Sequence, residues 1–255
     1  MTREADRSTP AHGRTNGRAG SSAPFVLRGD GVSIRVRTWS FSDDVAHAVL
    51  LNPPRVPSIA DIDRWCQQLA DRGYRRMRTG ALGTAAGLRV EQAGFHAAQE
   101  LLLLEHVAPG SIAGPRLHTT RMRTSGRAGA SSVDQAAFPE GWRLDAAAIA
   151  DVCDATPHHR ARIAGIVDGT PAAYAVTGRD ARQGFLQRLA VRPDQQRQGL
   201  GRALVADSLR WLGRRRVHRV LVNTPVDNDA AIELYEGMGF DRLPEHLYVY
   251  ERSLV

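Results

Sequence analysis

From about residue 25 the chain alternates short apolar runs with amphipathic stretches. A Gly-Asp-Gly turn at 29–31 predicts a hairpin, and apolar runs follow at 32–39 and 46–51. Apolar residues recur at helical spacing over 59–71, then come a short strand at 74–80, a helix ending at Gly94 and the strand-like run QELLLLEHV. A polar stretch, RTSGRAGASS at 123–132, interrupts the chain midway. Beyond it the pattern sharpens: a helix over 144–153, strands over 162–167 and 172–177 joined by an Asp168-Gly169 turn, and an alternating strand over 185–191. A helix over 200–212 closing at Gly213, a strand over 217–222, a helix over 229–238 before Gly239, and a final strand in HLYVYERSL complete the order. Strands alternating with helices predict an α/β protein built on one mixed, twisted sheet.

Composition narrows the class. At 255 residues, 42% hydrophobic and 24% charged, the chain has material for one large core or two modest ones. Residues 1–24 are polar, rich in Gly, Ser, Arg and Thr, and lack an apolar h-region, so they predict a disordered tail and no export. The longest strongly apolar run, 101–104, is too short to cross a bilayer, and the expectation is a cytoplasmic protein without membrane contact. Cys66 and Cys153 lie in helix-like segments without CxxC spacing, which predicts reduced, buried thiols. Pro157 separates Cys153 from His158, and their spacing does not set both on one helical face, so no metal is expected. All 34 basic residues are arginine, which excludes a lysine-dependent phosphate loop. The formal charge of +7 suits an anionic cofactor, an acidic substrate or nucleic acid. Its densest cluster, Arg214, Arg215, Arg216 and Arg219, falls where a helix ends and reads as a solvated helix C-terminus, which weakens the nucleic-acid choice.

The chemistry-bearing stretch is VRPDQQRQGLGRALV, 191–205. Each glycine in a helix costs about 1 kcal/mol relative to alanine, yet Gly199 and Gly201 stand where a helix begins. Strand, turn, glycines and helix in that order aim the backbone N–H groups of 196–202 from a positive helix end, and glycine lets an anion approach them. The spacing is neither GxGxxG nor GxxxxGK[ST], so dinucleotide and P-loop readings lose support.

These residues do match Q/R-x-x-G-x-G/A, here Gln196, Gly199 and Gly201, and the chain resembles the GNAT superfamily of N-acetyltransferases. The preceding LAVRP is similar to that family's cofactor-side strand, and NTPVDNDAAIELYEGMGF to its second motif. The resemblance covers the chain from about residue 116 and implies an acetyltransferase fold that takes acetyl-CoA, or another acyl-CoA, as co-substrate. It implies that Leu189, Ala190 and Val191 flank the pantetheine and thioester where neighbouring strands splay, a backbone N–H polarising the carbonyl. Gln196, Arg197, Gln198, Gly199, Leu200, Gly201 and Arg202 would hold the pyrophosphate, with Asn228 and Ala231 beside the pantetheine arm. Tyr235 would protonate the departing thiolate, since a phenol with a reference pKa of about 10 keeps its proton at neutral pH.

No carboxylate stands at Gln187 or Arg188, where some members of the family carry a base; Glu245, His158 and His159 are the substitutes available, and the base stays unassigned. A second resemblance is internal. RWCQQLADRGYRRMRTGALGTAAGLRVEQAGF, from Arg64, parallels the stretch from Arg210 to Phe240, with Ala86 opposite Ala231, Glu91 opposite Glu236, Val90 at Tyr235 and Gly83 at Asn228. The expected organisation is a tail over 1–24, a degenerate GNAT-like half over 25–110 and a catalytic half over 111–255, a layout similar to tandem-GNAT proteins, mycothiol synthase among them. Asn52-Pro53-Pro54 offers no phosphate turn, proline having no N–H. The implied activity is acyl transfer to a primary amine, on a small molecule or a protein N-terminus; the alternative is a GNAT-fold protein that only binds or senses acyl-CoA. The oligomeric state is not specified by the sequence.

Overall fold

Among the described residues, eleven strands form where apolar and polar positions alternate, and they join into a single sheet with six α-helices packed on it. The computed structural model describes residues 23–51 and 55–255; the expected tail, apart from Ala23 and Pro24, and the Asn52-Pro53-Pro54 stretch lie outside the described residues. The first part of the chain supplies β1 (Phe25–Arg28), β2 (Ser33–Trp39), β3 (Ser42–Leu50), α1 (Ile59–Ala70), β4 (Arg76–Thr79), α2 (Thr84–Gln92) and β5 (His96–Val107). The second supplies β6 (Thr119–Arg121), α3 (Arg127–Ala137), α4 (Ala146–Asp154), β7 (His158–Val167), β8 (Thr170–Arg179), β9 (Gln183–Val191), α5 (Leu200–Arg214), β10 (Arg219–Pro225), α6 (Asp229–Glu236) and β11 (Asp241–Ser253).

The strand order is β1-β2-β3-β4-β11-β5-β10-β9-β8-β7-β6. Each part lends a strand to the other: β11 inserts against β4, and β5 against β10. The two pair with each other nearly symmetrically, Asp241 opposite Glu105 at one end and Glu251 opposite His96 at the other. Helices α1 and α2 bury Ile62, Trp65, Leu69 and Val90 on the first part of the sheet. Helices α5 and α6 bury Leu209, Leu212, Ile232 and Tyr235 on the second, while α3 and α4 cover the opposite face of β7 to β9 with Val133, Ile149 and Cys153.

The polar stretch at 123–132 is not a break in the fold. It runs into α3, which buries Ala130, Ser131, Val133 and Asp134; small residues let this helix lie close to β8 and β9 without a strong apolar signature. Helix α5 likewise continues through Gly213 to Arg214, because Gly213 lies against the backbone of Gly110, where any Cβ would collide. Its chain reversal falls on Arg216, which takes a left-handed φ of 58°. Both cysteines are free and buried, and burial pushes their thiols up, that of Cys66 to about 11.

The paired helices end alike. Phe95 N–H reaches Val90 O at 3.1 Å and Phe240 N–H reaches Tyr235 O at 3.0 Å, each after a glycine of left-handed φ, Gly94 at 80° and Gly239 at 87°. Helices α1 and α5 also close with matching bonds, Tyr74 N–H to Leu69 O and Val217 N–H to Leu212 O. This match makes Leu69 equivalent to Leu212, so the two Arg-Trp pairs do not correspond: Trp65 is fully buried with its indole N–H on Arg28 O, whereas Trp211 is half-buried on a later turn.

Candidate active site

Strand β9 is bonded along its length to β8, but to β10 only through Gln183, Gly184 and Phe185. Beyond Phe185 the two parallel strands part, and a β-bulge at Gln187, where Val176 faces Arg188 and Thr177 faces Leu186, adds local twist at that point. Ladder alternation fixes which groups face the gap. Arg192 N–H bonds Ala172 O of β8 at 2.9 Å, so residues 190 and 188 also turn their backbone groups toward β8, and Leu189 and Val191 turn theirs into the gap. Val191 O there accepts from Gln196 Nε2 at 3.4 Å.

At the open end of β9 the backbone alternates: Gln196 is extended, Arg197 has φ 61°, and Gly199, the N-cap of α5, has φ 82°. This turn, the expected anion nest, stands at the positive end of a 15-residue helix, where N–H groups without helical partners favour an anion. Gly201 is needed for a close approach, since a Cβ there would sit 3.2 Å from Leu234 of α6 and 3.6 Å from Val191. Leu200 is buried beneath this turn. Arg202 donates to Gly237 O at 3.1 Å and exposed Arg197 lies 3.5 Å from Glu233, so both guanidinium groups lean toward α6.

Helix α6 flanks the gap from the same face as α5. Its N-cap Asn228 accepts from Ala231 N–H at 3.3 Å. Tyr235, about two turns further along, is 5% exposed, with its ring 5.6 Å from Phe240. Burial pushes the Tyr235 phenol well above its usual range, and the Arg188 charge pulls the other way, so the hydroxyl keeps its proton. Gly201 of the turn, Val191 at the end of β9 and Leu234 of α6 meet, and Tyr235 follows Leu234 on the same helix. His158 and His159 are exposed at the start of β7, opposite Arg179 and Gly178 and so level with the closed end of β9, and Glu245 is exposed beside Pro244 in β11.

One cluster has no counterpart in the sequence reading. Arg188 donates to both oxygens of fully buried Asp134 at 2.8 Å, Tyr174 Oη donates to Asp134 at 2.5 Å, and the ring of Phe138 stacks on the guanidinium at 3.6 Å. The signal available was Asp134 alone, one acid on the inward face of a weakly patterned helix. Among the described residues no group of three or more His, Cys, Asp and Glu side chains is placed to hold a metal ion, and no helix is long and apolar enough to cross a membrane.

The family model for the acetyltransferase (GNAT) family matches residues 130–240, which contain the gap, the nest and Tyr235. The chain carries a GNAT acetyltransferase domain. The [ribosomal protein bS18]-alanine N-acetyltransferase of Escherichia coli K12 is 42% identical over 74 residues, 29% of this chain and 50% of that protein. The mycothiol acetyltransferase of Kocuria rhizophila is 40% identical over 70 residues, 28% of this chain and 22% of that one. The chain therefore spans half or less of the length of these curated relatives. Similar solved structures cover far more of it: a tandem GNAT protein from the clavulanic acid biosynthesis pathway has a TM-score of 0.60 at 14% identity, over 90% of this chain and 82% of that one. A GCN5-related N-acetyltransferase from Kribbella flavida also scores 0.60, at 13% identity, over 91% and 90%. At such identities the likeness establishes the shared GNAT fold.

Proposed function

We propose that this protein transfers an acetyl or other acyl group from acyl-CoA to a primary amine. The observation that carries this reading is the gap between β9 and β10, flanked by a glycine turn at a helix N-terminus and by the helix that bears a protonated, buried phenol. The turn at 196–202 would hold the pyrophosphate through backbone donors, Asn228 and Ala231 would border the pantetheine arm, and Leu189 N–H would polarise the thioester carbonyl. The amine nitrogen attacks that carbonyl carbon, the C–S bond breaks, and the sulfur takes the Tyr235 proton. Burial alone would make Tyr235 a reluctant acid; the Arg188 charge favours the phenolate left behind and eases the transfer. The attacking nitrogen loses its proton to a base not identified in this chain. Holding both reactants in line contributes much of the acceleration.

The relatives' names, an alanine N-acetyltransferase of a ribosomal protein and a mycothiol acetyltransferase, support an acceptor amine on a protein N-terminus or a small molecule. We assign the reaction to residues 111–255 and read 25–110 as a degenerate half, supported by the matching helix ends of α2 and α6. Two free, buried cysteines suit a reducing compartment such as the cytoplasm. The test is thiol release from acetyl-CoA and longer acyl-CoAs across a panel of amines and N-terminal peptides. Amine-dependent release above hydrolysis is expected; tight CoA binding with no release for any amine would leave a binding or sensing protein instead.

A further inference from the structure

Opposite α1 and α2, the sheet presents a row of polar side chains. Register sets Arg37 of β2 beside His47 of β3, His47 beside Arg78 of β4, and Arg78 beside Glu251 of β11, and residues directly opposite share a face. Over this row lies the connection between α3 and α4, a single 3-10 turn at Glu140–Trp142. Arg78, anchored to β11, holds that turn. Nε donates to Glu251 at 2.5 Å, Nη1 donates to Gly141 O, and the plane lies 4.7 Å from the Trp142 ring and 5.1 Å from Trp39. From the other side Arg188 donates to Trp142 O at 2.7 Å. The turn is therefore gripped between two arginines, one from β4 and one adjacent to Leu189.

Its location matters for the reaction proposed above. The nest and Tyr235 lie on the α5 and α6 face of the sheet, so acyl-CoA bound there would leave the opposite face of the gap, where α3 packs and from which Arg188 projects, to the amine. We infer that Arg78 is a positioning residue for the amine acceptor, acting through Trp142 and the 140–142 turn; the inference rests on the acyltransferase reading. A planar fork that stacks and donates along two directions is required, which a lysine ammonium does not supply.

The test compares Arg78→Gln, Arg78→Lys and Trp142→Leu in the full chain. For the amine that the wild type uses best, Arg78→Gln should lower kcat/KM about tenfold or more, mainly through the acceptor KM, as expected when a reactant is misplaced by a fraction of an ångström. CoA affinity by calorimetry should stay within about twofold, because the nest is untouched. Arg78→Lys should not restore the loss, and adding Trp142→Leu to Arg78→Gln should cost less than the two single losses combined. A folded Arg78→Gln protein with wild-type acceptor kcat/KM, or full additivity with Trp142→Leu, overturns the inference. Amide exchange supplies a readout independent of turnover: it should quicken across 138–144 in Arg78→Gln and stay unchanged across 203–209. If the wild type acylates no amine, the acyltransferase reading falls while this exchange still decides the grip; unchanged exchange at 138–144 rejects it.

Discussion

Helices α2 and α6 end in the same backbone bonds on the same glycine-phenylalanine pair, and they differ in what they carry. Where α6 has Asn228 as a bonded cap and Tyr235 as a buried phenol, α2 has Gly83 without a side-chain cap and Val90. The strands differ in the same sense. Strand β4 stays paired with β3 over its whole length, Arg76 to Thr79, whereas β10 leaves β9 after three of its seven residues. A helix closed by glycine needs only backbone geometry, so the frame persists without the chemistry. The proposed chemistry needs a gap, an anion turn and one hydroxyl, for which the second half of the chain offers the β9–β10 opening, the Gly199 turn and Tyr235.

The comparison breaks most directly at Tyr235. Tyr235→Phe keeps the ring against Phe240 and removes the proton, so kcat should fall about 10²-fold or more with CoA affinity unchanged, while Val90→Phe in the first half should leave turnover alone. Steady-state rates near wild type for Tyr235→Phe would make that residue packing only. Next is the anion turn: Gly201→Glu places a carboxylate where the pyrophosphate would lie and should weaken acyl-CoA about tenfold or more by calorimetry. A titration with a non-hydrolysable acyl-CoA analogue should saturate at one site per chain, and two equivalent sites would erase the asymmetry between the halves. Asn228→Ala should cost about 1 kcal/mol in denaturant unfolding, as loss of a helix cap does.

A separate effect is expected with acid and starts in the first half. His47 is held down at about 4, first by burial and then by the charges of Arg78, Arg35 and Arg37. The unfolded chain binds a proton near pH 6.5, so its contribution to stability is complete above that value and fades as pH falls toward 4. Melting temperatures at pH 7 and pH 5 should converge for His47→Gln relative to wild type. An unchanged gap would place the acid-sensitive group elsewhere.

Much of this was legible in the sequence because it depends on backbone. Gly199 and the Gly-Phe closures announce turns that only particular φ angles permit, and Gly201 marks a close approach. The order of strands and helices followed from periodicity. Helix α3 was not legible, since its inward face is made of Ala130, Ser131, Val133 and Asp134, too small and too polar to stand out. The exchange of β5 and β11 was hidden for a different reason: a strand's pattern records that one face is buried, not which neighbour buries it. For the same reason Arg78 and Arg188 read as ordinary strand arginines, although the fold brings both to one turn.

The exchanged strands also set an order of events for folding. Arg78 and its partner Glu251 are 173 positions apart, so the open side of β4 cannot be sealed while the first hundred residues are the only ones made. Until β11 arrives, β4 and β5 lack the strand that lies between them, and each is a bare edge able to recruit a foreign strand. Closure of so long a loop makes this a slow, late step, and nascent chains that stall between β5 and β11 are the species most exposed to aggregation or to swapping strands with a second copy.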